Sequence, residues 1–276
     1  MNLITICAVL LLFIGYHEFV VDGVAVEIDL RLTDKQKKIM DKFKQIMIPK
    51  LPHNYMKEEI YLVRWLRATD FDLKKSEEFL LQNLKWRKQQ KMDVIHKEDW
   101  SDMQHDFPYY IDVVDKKGQP VITAISRDWD IRNAIVTGRI RRVLRYLDKA
   151  MDEANGLVRT FQLEGQNVTQ FILILHMGNF NLFQHGCPRC ITSILEFVES
   201  YENHFPGTAD RILLVNTPPA FEPIAQLVRE AMTPSTREAL KIYGNEPKVW
   251  KKLLLDLIDA DQLTPEFGGT KSEKPS

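Results

Sequence analysis

The sequence predicts an α/β fold, a mixed and mostly parallel sheet flanked by helices and preceded by a separate helical subdomain. Three observations carry this. FILIL at 171–175 and RILLV at 211–215 are continuously apolar, as strands covered on both faces are. A helical pattern separates them, and strand, crossover helix, strand implies parallel pairing. Upstream of about residue 100 only helical periodicities are found.

Taken in order, the first predicted helix spans Thr33 to Met47, with Ile39, Phe43 and Ile46 on one face and Pro49 and Pro52 beyond its end. A second runs from about Met56 to Ala68. A third follows Asp72, a suitable N-cap, and passes Trp86 towards Gln90 with Leu73, Leu80 and Leu84 inward. YYIDVVD, the turn KKGQ and PVITAIS then read as a hairpin, with Gly118 supplying the turn. From Arg139 to Phe161 an unbroken 3.6-residue stripe predicts a long helix, on which the arginines at 139, 141, 142 and 145 spread over a wide arc that reads as a solvated face. A helix from about Ile191 to Glu202 joins the two apolar strands. After the Pro218–Pro219 break, Phe221 to Met232 form another amphipathic helix.

Composition bounds the function. With 37 basic and 38 acidic residues in 276, the chain has no basic excess to neutralise nucleic-acid phosphates. Leu3 to Tyr16 is apolar, but as a helix it spans only about 21 Å, short of a bilayer, so residues 1–23 read as a secretory signal peptide. Its n-region carries no Lys or Arg. Cleavage would remove Cys7, Glu18 and Asp22 and shift the charge from −1 to about +1. The expected location is therefore secreted, with cytoplasmic as the alternative. Asn167-Val168-Thr169 is a glycosylation tripeptide in that setting.

Several stretches in order carry a resemblance. LVRWLRATDFDLKKSEEFLLQNLKWRK, VVDKKGQPV, RILLVNTPPAFEPIAQLV, STREALKIYG and DADQLTPEFGGT resemble the CRAL-TRIO lipid-binding proteins over about residues 33 to 270. The branch they look most like is that of supernatant protein factor and tocopherol transfer protein. The resemblance implies a helical subdomain at 33–100 and a lipid-binding domain at 108–270. It implies a sheet flooring an apolar pocket, closed by a mobile gate helix. A single hydrophobic lipid (tocopherol, retinoid, squalene or phospholipid-like) is the implied ligand, a membrane surface the transient partner, and no cofactor or metal is needed.

The same resemblance places the gate at Phe221, Ile224, Leu227, Val228, Ala231 and Met232, although periodicity alone favours a core-packing helix. Phe171, Leu173, Leu175 and His176 on the central strand complete the expected lipid-binding set. His176 stands where the family has an aspartate, and reads either as a ligand hydrogen-bonder or as a structural histidine. Phosphatidylinositol-handling members have an acid and a lysine where this chain has Gly207 and Ala239, which favours a less polar ligand. Lys241 and Arg237 lie nearby but not at the matching position.

Cys187-Pro188-Arg189-Cys190, a cysteine pair near a helix start, raises a different function, a dithiol oxidoreductase. A local disulfide or two buried thiols are the other readings, and His185 lacks enough neighbours for a metal site. Nucleotide-binding, serine-hydrolase and zinc-protease motifs are absent from the sequence, so a non-enzymatic role is expected.

Overall fold

The computed structural model describes residues 25–272. The expected leader at 1–23, with Cys7, lies outside them.

The N-terminal region is a helical unit with its own core. After a short α1 (Ala25–Asp29), Thr33 opens α2 (Asp34–Met47) with a reciprocal cap: its hydroxyl accepts from the Gln36 N–H, and the Gln36 side chain accepts from the Thr33 N–H. α3 (Glu59–Arg67) and α4 (Leu73–Gln89) follow, and the Asp72 carboxylate accepts from Lys75 N–H at the start of α4. Met40, Phe43, Met47, Leu62, Leu66 and Leu80 are sealed inside. Ile39 and Ile46, on the same sequence face as Phe43, only flank this core. Met40 and Met47, one position on, fill it.

α5 (Ser101–Asp106) leads to β1 (Tyr109–Val114), which pairs antiparallel with β2 (Pro120–Ile125) as the hairpin reading requires. In the turn, Gly118 takes φ +83° and the Asp115 carboxylate accepts from the N–H groups of Lys117 and Gln119. The chain continues through α6 (Ile131–Val136), α7 (Ile140–Leu163), β3 (Phe171–His176), α8 (Pro188–His204) and β4 (Ala209–Thr217). α9 (Glu222–Ala231), α10 (Pro234–Ala239), β5 (Leu240–Gly244) and α11 (Pro247–Leu257) complete it. α5, α6 and α10 run six residues each, less than two turns, too short to print a helical period.

The five strands lie in chain order, and every pair after the first is parallel. Because the parallel crossovers all step the same way, the right-handed rule puts α7, α8 and α9 on one face. α11 covers the other. Two apolar clusters result, one around Phe171, Val143, Met151, Val198 and Ile224, the other around Ile172, Ile174, Leu213, Trp250 and Leu254.

The arginines of α7 are not a free solvated face. Arg139 pairs with Asp106 at 2.5 Å, Arg142 with Asp102 at 2.6 Å and Arg141 with Glu196 at 2.7 Å, and Arg145 pairs with Glu98. Each exposed pair contributes little alone, but together they tie α7 to the segment before β1 and to α8. Among the described residues no helix is long and apolar enough to cross a membrane.

Candidate functional site

Strand parity organises the site. On β3, Phe171, Leu173 and Leu175 point to the α7–α8–α9 face, while Ile172, Ile174 and His176 point to the α11 face. Ile172 and Ile174 are completely buried, yet Leu173 and Leu175 in the same central strand are only half-buried. Their exposed surface faces a cavity of about 240 Å³ between the sheet and the helices.

Leu173, Leu175, Leu147, Met151, Phe197 and Val228 are typical of its walls, which include no Asp, Glu, Lys or Arg. The few polar side chains at its edge are engaged within the protein. Tyr109 OH donates to Glu153 at 2.5 Å and accepts from Lys149 at 2.8 Å. Trp129 Nε1 donates to the Pro108 carbonyl, and Ser193 Oγ to that of Arg189. A ring nitrogen of His185 lies 2.9 Å from the Ser126 carbonyl. The surface offered to an occupant is therefore apolar and uncharged.

The expected site residues fall into four places. Leu173, Leu175, Phe221, Val228 and Met232 line the cavity. Phe171 and Ile224 are buried in the surrounding core without lining it. Leu227, 42% exposed, and Ala231 face outward, because the apolar stripe drawn over twelve residues is wider than the inner face of α9. His176 lies on the far side of the sheet. Its ring meets Trp250 and Phe267 edge-on, with centroids 5.4 and 5.8 Å away, and its Nε2 is 3.2 Å from Asn216 Nδ2. Burial lowers its pKa. It braces the end of β3 against the end of β4 and does not reach the cavity. Phe180, Trp129 and Leu144 line the cavity without having been singled out. Leu144 was legible in the α7 stripe, whereas Phe180 sits in an aperiodic loop.

α9 closes one wall. Phe221, just before it, meets Phe180 edge-to-face at 5.2 Å. At its other end Arg237 donates to the carbonyls of Arg229 and Met232, both at 2.9 Å, and the Glu202 carboxylate accepts from the Thr233 N–H and hydroxyl. One end is thus held by aromatic packing and the other by polar contacts. Arg237 is committed to this latch and not to an external headgroup.

Gly207 and Ala239 do come together, in a separate shallow recess of about 320 Å³ beside β4. Its charged lining residues are Asp210 and Glu238, with no cation. With no cation among these lining residues, and Asp210 itself paired with Arg211 at 3.5 Å, a phosphate meets no partner there, in keeping with the missing acid–lysine pair.

α8 starts three residues earlier than its apolar pattern indicates. Cys187 is its N-cap: the sulfur accepts from Cys190 N–H at 3.1 Å, and the two cysteines form a disulfide with a Cα separation of 4.9 Å. The cysteine at the helix start is therefore Cys187, half-buried, and Cys190 is sealed.

The geometry can be set beside known proteins. The family model described as the CRAL/TRIO domain matches residues 104–269, more than half of the chain. The crystal structure of Sfh5 is similar in fold, with a TM-score of 0.70 over 88% of this chain and 89% of that one at 14% sequence identity.

Proposed function

Since the chain belongs to the CRAL/TRIO domain family, a family of lipid-binding and lipid-transfer proteins in the broad sense, we propose that it takes up one neutral hydrophobic lipid behind α9 and releases it at a membrane surface. The observation that carries this reading is the cavity on one face of the sheet, walled by apolar side chains with no ionic group among them. A tocopherol-, retinoid- or squalene-like molecule suits such walls better than a phosphoinositide, whose headgroup would meet Asp210 and Glu238.

At about 240 Å³ the cavity is smaller than the roughly 300–1,000 Å³ of pockets that hold drug-sized ligands. A whole lipid therefore requires α9 to swing outward. In water that motion would expose Phe221, Ile224, Val228 and Met232, each buried to within 8%. At about 1.5–3 kcal/mol per side chain, opening costs on the order of 6–12 kcal/mol. Against a bilayer the same side chains move from one apolar setting to another, and most of that cost disappears. The membrane is thus the natural trigger, with Leu227 already facing outward to meet it.

Export fits this reading as well. The apolar leader supports it, and a disulfide at the start of α8 suits an oxidising compartment.

The test is native mass spectrometry of the protein recovered from the medium of eukaryotic cells, followed by extraction of any bound molecule. One neutral lipid per chain, on a chain beginning near residue 24 or 26, is the expected result. A chain that retains Met1 inside the cell would end the case for export. Failure to load tocopherol, retinol or squalene directly would end the proposed ligand class. For the gate, Phe221→Asp should abolish loading, whereas Leu227→Asp should leave loading intact and slow vesicle-to-vesicle transfer about tenfold. Unchanged transfer in both would remove α9 from the mechanism.

A further inference from the structure

A second pocket lies where the helical subdomain meets α7 and α8. Three guanidinium groups converge on it, Arg64 from α3, Arg87 from α4 and Arg159 from α7. Buried charges are ordinarily paired, since an uncompensated ion inside a protein is costly. Here the pairing is incomplete.

Arg64 donates only to neutral acceptors, the Thr169 carbonyl and Asn155 Oδ1. Arg159 has the ring of Tyr55 under it, 4.2 Å from the centroid. Among the described residues no carboxylate lies within ion-pair distance of either. Arg87 does pair, with Asp152 at 2.7 Å and with the exposed Asp93 at 3.5 Å, but its Nε is buried with no acceptor. Asp152 makes no direct ion pair with the other two; its second oxygen faces His96 at 3.0 Å. The remaining acid of the lining, Glu58, is exposed at the rim. Burial lowers the Arg64 pKa, and the charge of Arg159 acts in the same direction. Positive charge is thus in excess inside the pocket. Asn83, Asn155 and Gln162 add neutral hydrogen-bonding groups to its walls.

The space is about 60 Å³. A water-sized group needs roughly 10–15 Å³, so the space admits several such groups, enough for a compact oxyanion. We propose that this pocket is a binding site for a phosphate-class oxyanion, held by Arg64, Arg87 and Arg159 at the junction between the helical subdomain and the lipid-binding lobe. The guanidinium fork suits phosphate oxygens, and Arg87 Nε is the donor left without a partner. An occupant would bridge α3 and α4 to α7, and so would brace the junction as well as bind.

Inorganic phosphate is the first probe, titrated calorimetrically into the full chain at an ionic strength fixed with chloride. Saturable binding of one phosphate is expected, with a rise in the melting temperature that chloride does not reproduce. Arg159→Gln, the least interlocked of the three, should weaken binding about tenfold or more while the fold is retained. Tungstate soaked into crystals gives a readout independent of any variant, an anomalous peak between the three guanidinium groups. Vesicles of phosphatidylcholine with and without phosphatidic acid separate the sources of the anion. Retention by phosphatidic acid that is lost in Arg159→Gln and competed by phosphate assigns a lipid phosphate. Phosphate binding without such retention assigns the free ion. Equal phosphate heats in the wild type and Arg159→Gln, or no tungstate peak in the pocket, would overturn the proposal.

Discussion

His204 shows how one residue couples the subdomains to pH. Its ring stacks on Trp86 with centroids 3.7 Å apart, and Asn83 Nδ2 lies 3.3 Å from its Nδ1. Burial pushes its pKa down from 6.5 to about 4, so the folded protein keeps the ring neutral where the unfolded chain would protonate it. A group lowered in this way contributes stability that is present above pH 6.5 and lost as the pH falls towards 4. The ring is partly exposed, so the shift is discounted for solvent screening to about 1–2 kcal/mol. Asp148 acts in the opposite sense. Burial raises its pKa to about 6 despite the hydrogen bond from Ser200, so its contribution is present below 3.8 and lost as the pH rises through 6. The two partly cancel between pH 4 and 6, and the total pH profile hides both. A variant separates them. His204→Phe keeps the stack and removes the titration. In urea unfolding, the stability difference between wild type and His204→Phe should shift by about 1–2 kcal/mol towards the variant from pH 7 to pH 4.5. A difference independent of pH would mean that His204 is not held neutral.

At the scale of the element, the start of α8 combines a cap with a cross-link. Closing so short a loop restricts the unfolded chain by about 2 kcal/mol in the entropic account. The Cys187 sulfur also accepts the Cys190 N–H, a capping role that serine performs and alanine does not. Replacing both cysteines by serine should therefore cost about 2 kcal/mol, and replacing both by alanine about 1 kcal/mol more, measured by chemical denaturation. Lipid loading should survive in the serine form. If loading fell with a dithiol activity, the oxidoreductase reading would gain over the lipid carrier. The same helix shows what a sequence does and does not display. The long stripe of α7 could be followed because buried residues recur from Val143 to Val158, and its predicted start lies within one residue of the observed one. The first turn of α8 contains proline, arginine and cysteine and carries no apolar period, so its start was placed three residues late. His176 was recoverable, since a strand alternates faces and Leu175 and His176 cannot both face the cavity. The outward tilt of Leu227 was not, because the width of the buried face of α9 depends on what packs against it.

At the scale of the whole molecule, the sheet separates a solid core from a hollow one, and composition cannot tell them apart. Leu173 and Ile174 are adjacent, similar in size and both central, and a void leaves no mark on the residues around it. Their energetics should nevertheless differ. Ile174 is wholly buried in the cluster that includes Trp250 and Leu254, so Ile174→Ala loses its transfer free energy and opens a new cavity in a close-packed region. The expected cost is about 3–4 kcal/mol, with little change in lipid loading once the variant is folded. Leu173 already borders open space, with fewer packed neighbours to lose and no new cavity to create. Leu173→Ala should cost only about 1–2 kcal/mol and, by enlarging the cavity, shift loading towards bulkier neutral lipids. Denaturation midpoints together with extracted-lipid profiles of the two variants test both halves. Equal destabilisation with unchanged lipid profiles would mean that both faces of the sheet are solid core, and that the space behind α9 holds no ligand.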